Sequence, residues 1–201
     1  MSGGEIAHIV YFAAAELPPD MDSAGLEVIG GYRPKTDTGA FAYSTHVAVL
    51  EIDRDFATVK LRDYVAVDDC GIQVNPMIVD GQILGGIVQG IGTALYEEVR
   101  YDESGQPQAS TFADYLVPGC GDVPAIRLFK TETASPFTRF GIKGVGEGGA
   151  IAPPAAIVNA VNDALLPFGA EIGEVPASPA RILRALQNVG LGPGFVAGGA
   201  S

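Results

Sequence analysis

The segment Gly81-Gln82-Ile83-Leu84-Gly85-Gly86-Ile87-Val88-Gln89-Gly90-Ile91-Gly92-Thr93-Ala94-Leu95-Tyr96-Glu97-Glu98 decides the fold. It reads as a helix beginning at Asp80 or Gly81 and ending at Glu98. Gly85, Gly86, Gly90 and Gly92 lie inside it, and each costs about 1 kcal/mol relative to Ala, so the helix forfeits roughly 4 kcal/mol of intrinsic propensity. Gly81/Gly85 and Gly86/Gly90 are four residues apart, which lays glycine along a face where another backbone or a flat ligand can pack. Gln82 and Gln89 are seven apart, nearly above one another, offset by about 20° over two turns. They read either as ordinary polar edge residues or as two amides, each a donor and an acceptor, turned toward a heterocycle.

The chain before this helix reads as β. Ile6 to Phe12 is strand-like and Leu17-Pro18-Pro19-Asp20 breaks it. Thr45–Glu51 and Val59–Val67 alternate, with Asp53-Arg54-Asp55 as a hairpin connection. Asp68 to Pro76 reads as a polar loop. After the helix, Val99–Tyr101 and Gln108–Phe112 read as a second hairpin around Asp102-Glu103-Ser104-Gly105, and Ala125–Thr131 as a short strand. Pro153 and Pro154 suit the first turn of a helix over Ala155–Leu166, which carries Asn159, Asn162 and Asp163 along one edge and is stopped by Pro167-Phe168-Gly169. Ser178-Pro179 caps a last helix, Ala180–Gln187. The fold class is therefore α+β: mixed-sheet hairpins, a glycine-rich helix and two C-terminal helices. Residues 1–189 are expected to form one lobe, and residues 190–201 a flexible Gly-rich tail.

Gly141-Ile142-Lys143-Gly144-Val145-Gly146-Glu147-Gly148-Gly149 places one carboxylate among five glycines, with a lysine four residues before it. On these residues alone Glu147 reads equally as a base for chemistry on a bulky bound molecule and as a surface carboxylate in a turn. Gly144-x-Gly146-x-x-Gly149 formally matches a dinucleotide fingerprint. Two features speak against an NAD(P) site: no apolar strand precedes it, and the helix is expected only after the prolines. His8 and His46 sit in strand-like contexts and read as structural.

The 201 residues carry a net charge of −12, which excludes tracking of a nucleic-acid backbone. Only 18% are charged and 47% are hydrophobic, so part of the surface is expected to be covered by another chain. Cys70 and Cys120 make no disulfide framework and read as thiols of a reducing compartment, hence a cytoplasmic location. The longest apolar run, Ile83–Tyr96, reads as too short and too polar for a membrane span. Ile6–Ala15 has no preceding Lys or Arg and makes a poor signal peptide.

Taken in order, Asp69-Cys70-Gly71, Asn75-Pro76, the Gly81–Glu98 helix, Asp114-Tyr115, Pro118, Lys143-Gly144-Val145-Gly146-Glu147, Pro154-Ala155-Ala156-Ile157 and Asn159-Ala160-Val161-x-Asp163 resemble the C-terminal part of the molybdopterin-binding subunit of the molybdenum hydroxylases. This is the xanthine dehydrogenase, aldehyde oxidoreductase and carbon monoxide dehydrogenase family. The resemblance runs from about Gly39 to Leu186. It implies a C-terminal lobe of a molybdopterin-binding domain, with Glu147 as general base. It implies that Gln82 hydrogen-bonds the molybdopterin, that Gln89 is the second glutamine of the same helix, and that Lys143, Gly144, Val145 and Gly146 lie along the cofactor. It further implies hydroxylation of an aldehyde or N-heterocycle with water as the oxygen source, or oxidation of carbon monoxide. No protein side chain is expected to ligate the metal.

The cofactor implied is molybdenum–molybdopterin, its cytosine dinucleotide form included, with iron–sulfur clusters and FAD on partner chains. The family's subunit is several times longer. Met1-Ser2-Gly3-Gly4-Glu5 falls where the middle of that domain would be, so either a split subunit or a fragment is expected. The partners expected are a chain carrying the N-terminal part of the molybdopterin-binding subunit, an iron–sulfur subunit and a flavin subunit. A non-catalytic assembly subunit of the same fold is the rival reading.

Overall fold

The structure, a computed structural model, describes residues 1–21, 25–33 and 40–191. The chain divides into two compact units, Met1–Lys35 and Thr36–Ser201, where the sequence suggests one lobe over residues 1–189. The expected tail lies outside the described residues from position 192 onward.

In the first unit, Gly3–Phe12 is a helix (α1), not the strand expected over Ile6–Phe12. Ser2-Gly3-Gly4-Glu5 is a capping box: Ser2 Oγ accepts from the Glu5 N–H, and the Glu5 carboxylate accepts from the Ser2 N–H. That cap satisfies end donors a strand would leave to a neighbour. A 3-10 turn, Ala14–Glu16, follows.

The second unit is built on a three-stranded mixed sheet. Strand β1 (Tyr43–Ile52) pairs antiparallel with β2 (Val59–Asp69), which pairs parallel with β3 (Ile126–Lys130). The β1–β2 turn is closed by Asp53, whose Oδ1 accepts from the N–H groups of Asp55 and Phe56. Only one bridge, Tyr101 with Pro107, stands where a second hairpin was expected. Pro107 has no N–H to donate, and Asp102 Oδ1 gathers the turn's amides from Ser104 and Gln106.

Helix α2 (Pro76–Leu95) carries the chain from β2 toward β3. It starts before the expected Asp80, because Asn75 and Pro76 are a cap and a first-turn proline: Asn75 Oδ1 accepts from the Ile78 N–H. Helix α3 (Gly148–Leu165) likewise opens well before Pro153 and Pro154, which lie inside it. The missing proline N–H groups leave the carbonyls of Gly149 and Ala150 without their usual helical donors. Gly169, at φ 70°, ends the 3-10 turn Leu166–Phe168, and α4 (Pro179–Asn188) is capped by Ser178 as expected.

Packing follows from spacing. The buried α3 residues Gly149, Pro153, Ile157, Val161 and Leu165 are each four apart and form one ridge. This helix packs on both α2 and β1. Ile83, Ile87 and Ile91 of α2 join Tyr64, Ile157, Val161, Leu165, Ile182 and Leu186 in the core. At the closest approach there is no room for side chains. A Cβ on Gly86 would lie 2.9 Å from the Ala150 backbone N, and one on Gly90 would lie 2.7 Å from Pro153 Cβ.

By length and mean hydropathy (1.3 and 1.2), α2 and the helical stretch Gly148–Phe168 would each suffice to cross a membrane. The run judged too short in the sequence is thus part of a longer helix. The inward faces of both helices are spent on the core described here.

The glycine spacing makes a direct prediction. Gly90→Ala should destabilise the purified chain by about 1–3 kcal/mol through overpacking. Gly85, where an added Cβ meets nothing within 4 Å, should tolerate Ala and gain up to about 1 kcal/mol. Denaturant unfolding of both variants reads the difference.

Candidate functional site

Glu147 stands at the N-cap of α3, exposed and with no side-chain cap hydrogen bond. The ridge that buries Gly149 fixes its place. A Cβ on Gly149 would collide with the Ile83 carbonyl, so the first turn of α3 lies directly on the α2 backbone. Glu147 therefore emerges beside the exposed side of α2. A cleft of about 350 Å³ there is lined by Gln82, Gly85, Gly86, Gln89, Gly146, Glu147, Ala150 and Ile151. The structure thus brings together Glu147, Gln82, Gln89 and Gly146, which lie far apart in sequence. Both glutamines are exposed and free of side-chain hydrogen bonds among the described residues.

Gly144, Val145, Gly146 and Glu147 also line a second cavity, of about 750 Å³, with Tyr43, Ser44, Asp68, Asp69 and Cys70. Glu147 is thus shared by both spaces. A Cβ built on Gly81, Gly85, Gly144 or Gly146 would meet nothing within 4 Å. Bare backbone at Gly85 on α2 and at Gly146 on the loop thus faces the cleft that holds the two amides. This cradle fits a large flat polar ligand.

Lys143 is placed differently. Its side chain is only 7% exposed, and its ammonium sits 2.9 Å from Asp69 Oδ1, whose side chain is 0% exposed. The ammonium also lies over the Tyr43 ring, 4.7 Å from its centroid. Asp69 accepts further from the Gly71 N–H at 2.9 Å and the Tyr43 hydroxyl at 3.0 Å. Burial alone would raise the Asp69 carboxyl. The Gly71 N–H, the Lys143 ammonium and the Thr133 and Tyr43 hydroxyls outweigh it and hold the group well below the usual carboxylate range. This network was not read from the sequence, although Asp69-Cys70-Gly71 stands out there as a motif. Gly71, at φ 68°, is the signal that the chain turns sharply at this point.

His46 is a wall residue of the sheet. Its Nδ1 lies 2.9 Å from the Tyr64 hydroxyl, and its side chain is fully buried. Burial, and then the Asp68 charge, pushes the Tyr64 hydroxyl up, so it remains neutral. Cys70 is buried and its thiol is likewise pushed up by burial, while Cys120 is exposed.

The helix does open inside Gly144-x-Gly146-x-x-Gly149, contrary to expectation. The other objection to a dinucleotide site holds: between Lys130 and Gly148 the only pairing is the single bridge of Ile142 with Gly71.

The family described as molybdopterin cofactor-binding domain matches residues 1–124. The chain is 39% identical over 189 residues to the nicotine 6-hydroxylase large subunit of Paenarthrobacter nicotinovorans, covering 94% of this chain and 23% of that one. It is 33% identical to the carbon monoxide dehydrogenase large chain of Afipia carboxidovorans, covering 90% and 22%. Among solved structures, quinoline 2-oxidoreductase from Pseudomonas putida 86 superposes with a TM-score of 0.78 at 46% identity, over 93% of this chain and 23% of that one. The chain belongs to the molybdopterin cofactor-binding family of the molybdenum hydroxylase large subunits. It spans about a quarter of the length of these relatives.

The buried pair sets an acid limit on stability. Asp69 has a lowered folded pKa, so its stabilisation is complete above the unfolded value of about 3.9 and is lost as pH falls from there through the folded value. Asp69→Asn should cost about 3–5 kcal/mol at neutral pH by stranding the Lys143 charge. It should also flatten the acid limb of the stability profile, measured by thermal unfolding between pH 2 and 7.

Proposed function

We propose that this chain forms one wall of a molybdopterin site in an oxidoreductase that hydroxylates an N-heteroaromatic substrate, with Glu147 as general base and water as the oxygen source. What carries the proposal is an unpartnered carboxylate sharing a cleft with two unpartnered amides. The higher identities to proteins named for nicotine and quinoline than to the carbon monoxide dehydrogenase favour a ring substrate over carbon monoxide or an aldehyde.

In this assignment Gln82 and Gln89 each present an amide N–H and a carbonyl to the polar edge of the cofactor, in its cytosine dinucleotide form or without it. The backbone of Lys143, Gly144, Val145 and Gly146 runs along the cofactor, and Gly144 and Gly146 have no side chain to hold it off. As membership of the family implies, we assign the metal to the cofactor's own sulfur atoms and not to a side chain of this chain. When bound, the cofactor supplies a Lewis-acidic metal and a two-electron sink. Glu147 Oε would take the proton of the water-derived oxygen as that oxygen bonds to the electrophilic ring carbon, while the carbon's own hydrogen would leave as hydride and carry the two electrons to that sink. The N-cap position sets where the Glu147 side chain enters the cleft, which limits the backbone reorganisation the proton transfer requires.

Half of such a site must come from elsewhere. A chain carrying the N-terminal part of the subunit would close it, and iron–sulfur and flavin chains would take the electrons away, in the cytoplasm. Val47, Val49 and Phe129 on the sheet, and Met77 and Ile78 on α2, leave exposed apolar area for such partners.

Two measurements test the assignment on the purified complex. Glu147→Gln keeps the shape and removes the base, so turnover should fall at least 100-fold with molybdenum content unchanged. Full turnover would leave the non-catalytic assembly reading in place. Gln82→Ala should instead lower bound pterin and molybdenum in proportion, with activity per molybdenum nearly kept.

A further inference from the structure

Between its two fixed ends, Lys143 and Gly149, the loop bearing Glu147 is only five residues long. At one end the Lys143 N–H donates to the Cys70 carbonyl at 2.9 Å, and the Lys143 ammonium meets Asp69 at 2.9 Å. At the other end Gly149 is locked against Ile83. Gly144, Val145, Gly146, Glu147 and Gly148 lie between, and Gly144, Gly146 and Glu147 are exposed. A segment so rich in glycine has little stiffness of its own, so its end points must supply the precision. The Lys143 end is itself tied to four parts of the fold. Asp69 ends β2 and Tyr43 begins β1, the Tyr43 hydroxyl lies 2.6 Å from Thr133 Oγ1, and the Gly141 carbonyl accepts from the N–H groups of Ile72 and Ser135.

We infer that Lys143 is a positioning residue: its buried ion pair with Asp69, and not contact with the cofactor, fixes Gly144–Gly146 and so aims the Glu147 carboxylate. The inference rests on the assignment of Glu147 as base, and it adds Asp69 and Tyr43 to the residues that serve the site. The ammonium is buried and paired at 2.9 Å, and Lys143 lines neither cavity. The near-attack requirement supplies the energetic link, because a displacement of about 1 Å at a reacting group costs on the order of 100-fold in rate.

The test uses the molybdenum-loaded complex with Lys143→Met, Asp69→Asn and the double variant Asp69→Leu/Lys143→Met. The double variant leaves no stranded charge and so keeps the chain folded if either single change does not. Steady-state kinetics, molybdenum content and amide hydrogen exchange at Lys143, Gly148 and Ala150 are read together. Each variant should lower kcat tenfold or more, with KM and molybdenum content within about twofold of the parent, and should speed exchange at these amides. The double variant should be no worse than the worse single one. Loss of molybdenum in Lys143→Met but not in Asp69→Asn would overturn the inference, since the lysine would then be acting on the cofactor. Unchanged kcat and unchanged exchange in the double variant would overturn it as well. If Glu147→Gln proves fully active, the base assignment fails alone, and faster exchange in the Lys143 variants still reports the anchoring.

Discussion

Everything in the candidate site depends on how closely two helices approach. Gly86 and Gly90 on α2 meet Gly149, Ala150 and Pro153 on α3 with no space for a Cβ. At ordinary helix separations of 8–10 Å the first turn of α3 would stand off from α2. Glu147 would then be carried away from Gln82 and Gln89. The glycines give up about 1 kcal/mol each of helix propensity, and tertiary contact of the apolar ridge offsets it. The energetic cost of the sequence and the geometry of the site have one cause.

The same helix uses its glycines in two ways. Gly86 and Gly90 face the neighbouring helix, whereas Gly81 and Gly85 face open space beside the glutamines. Spacing by four predicts such strips but not their partners. Of the two alternatives open in the sequence, another backbone occupies one side of the helix, and the other side is left open. On the open side, bare backbone adjoins two side-chain amides and a carboxylate. This combination suits a planar heterocycle with a polar edge better than an apolar partner.

Elements set by local pattern could be read from the residues in advance. The alternation of Thr45–Glu51 and Val59–Val67 gave the hairpin, and the seven-residue spacing of Gln82 and Gln89 put both amides into one cleft. The helix starts could not be placed as well, for a common reason. Asn75-Pro76 reads as the end of a polar loop and Pro153-Pro154 as a first turn, yet Pro76 opens a helix and the other pair sits inside one. Ser2 to Glu5 concealed a capping box behind an apolar run. The Asp69–Lys143 pair joins residues 74 apart, and nothing periodic connects them. Only the fold brings β2's end to the loop.

That pair also explains why one lysine in the loop behaves unlike its setting. A lysine beside a carboxylate in a glycine-rich loop invites assignment to an anionic ligand. Here the ammonium is turned inward, with its charge answered by Asp69 and its flank covered by Tyr43. Removing two charges from water is expensive unless hydrogen bonds complete the arrangement, and Asp69 receives donors from Gly71, Tyr43, Thr133 and Lys143. An apolar pair would fill the space at lower desolvation cost, but it would not fix direction. An ion pair with a full set of donors does, and the residue four positions on is the carboxylate that the fold leaves without a partner.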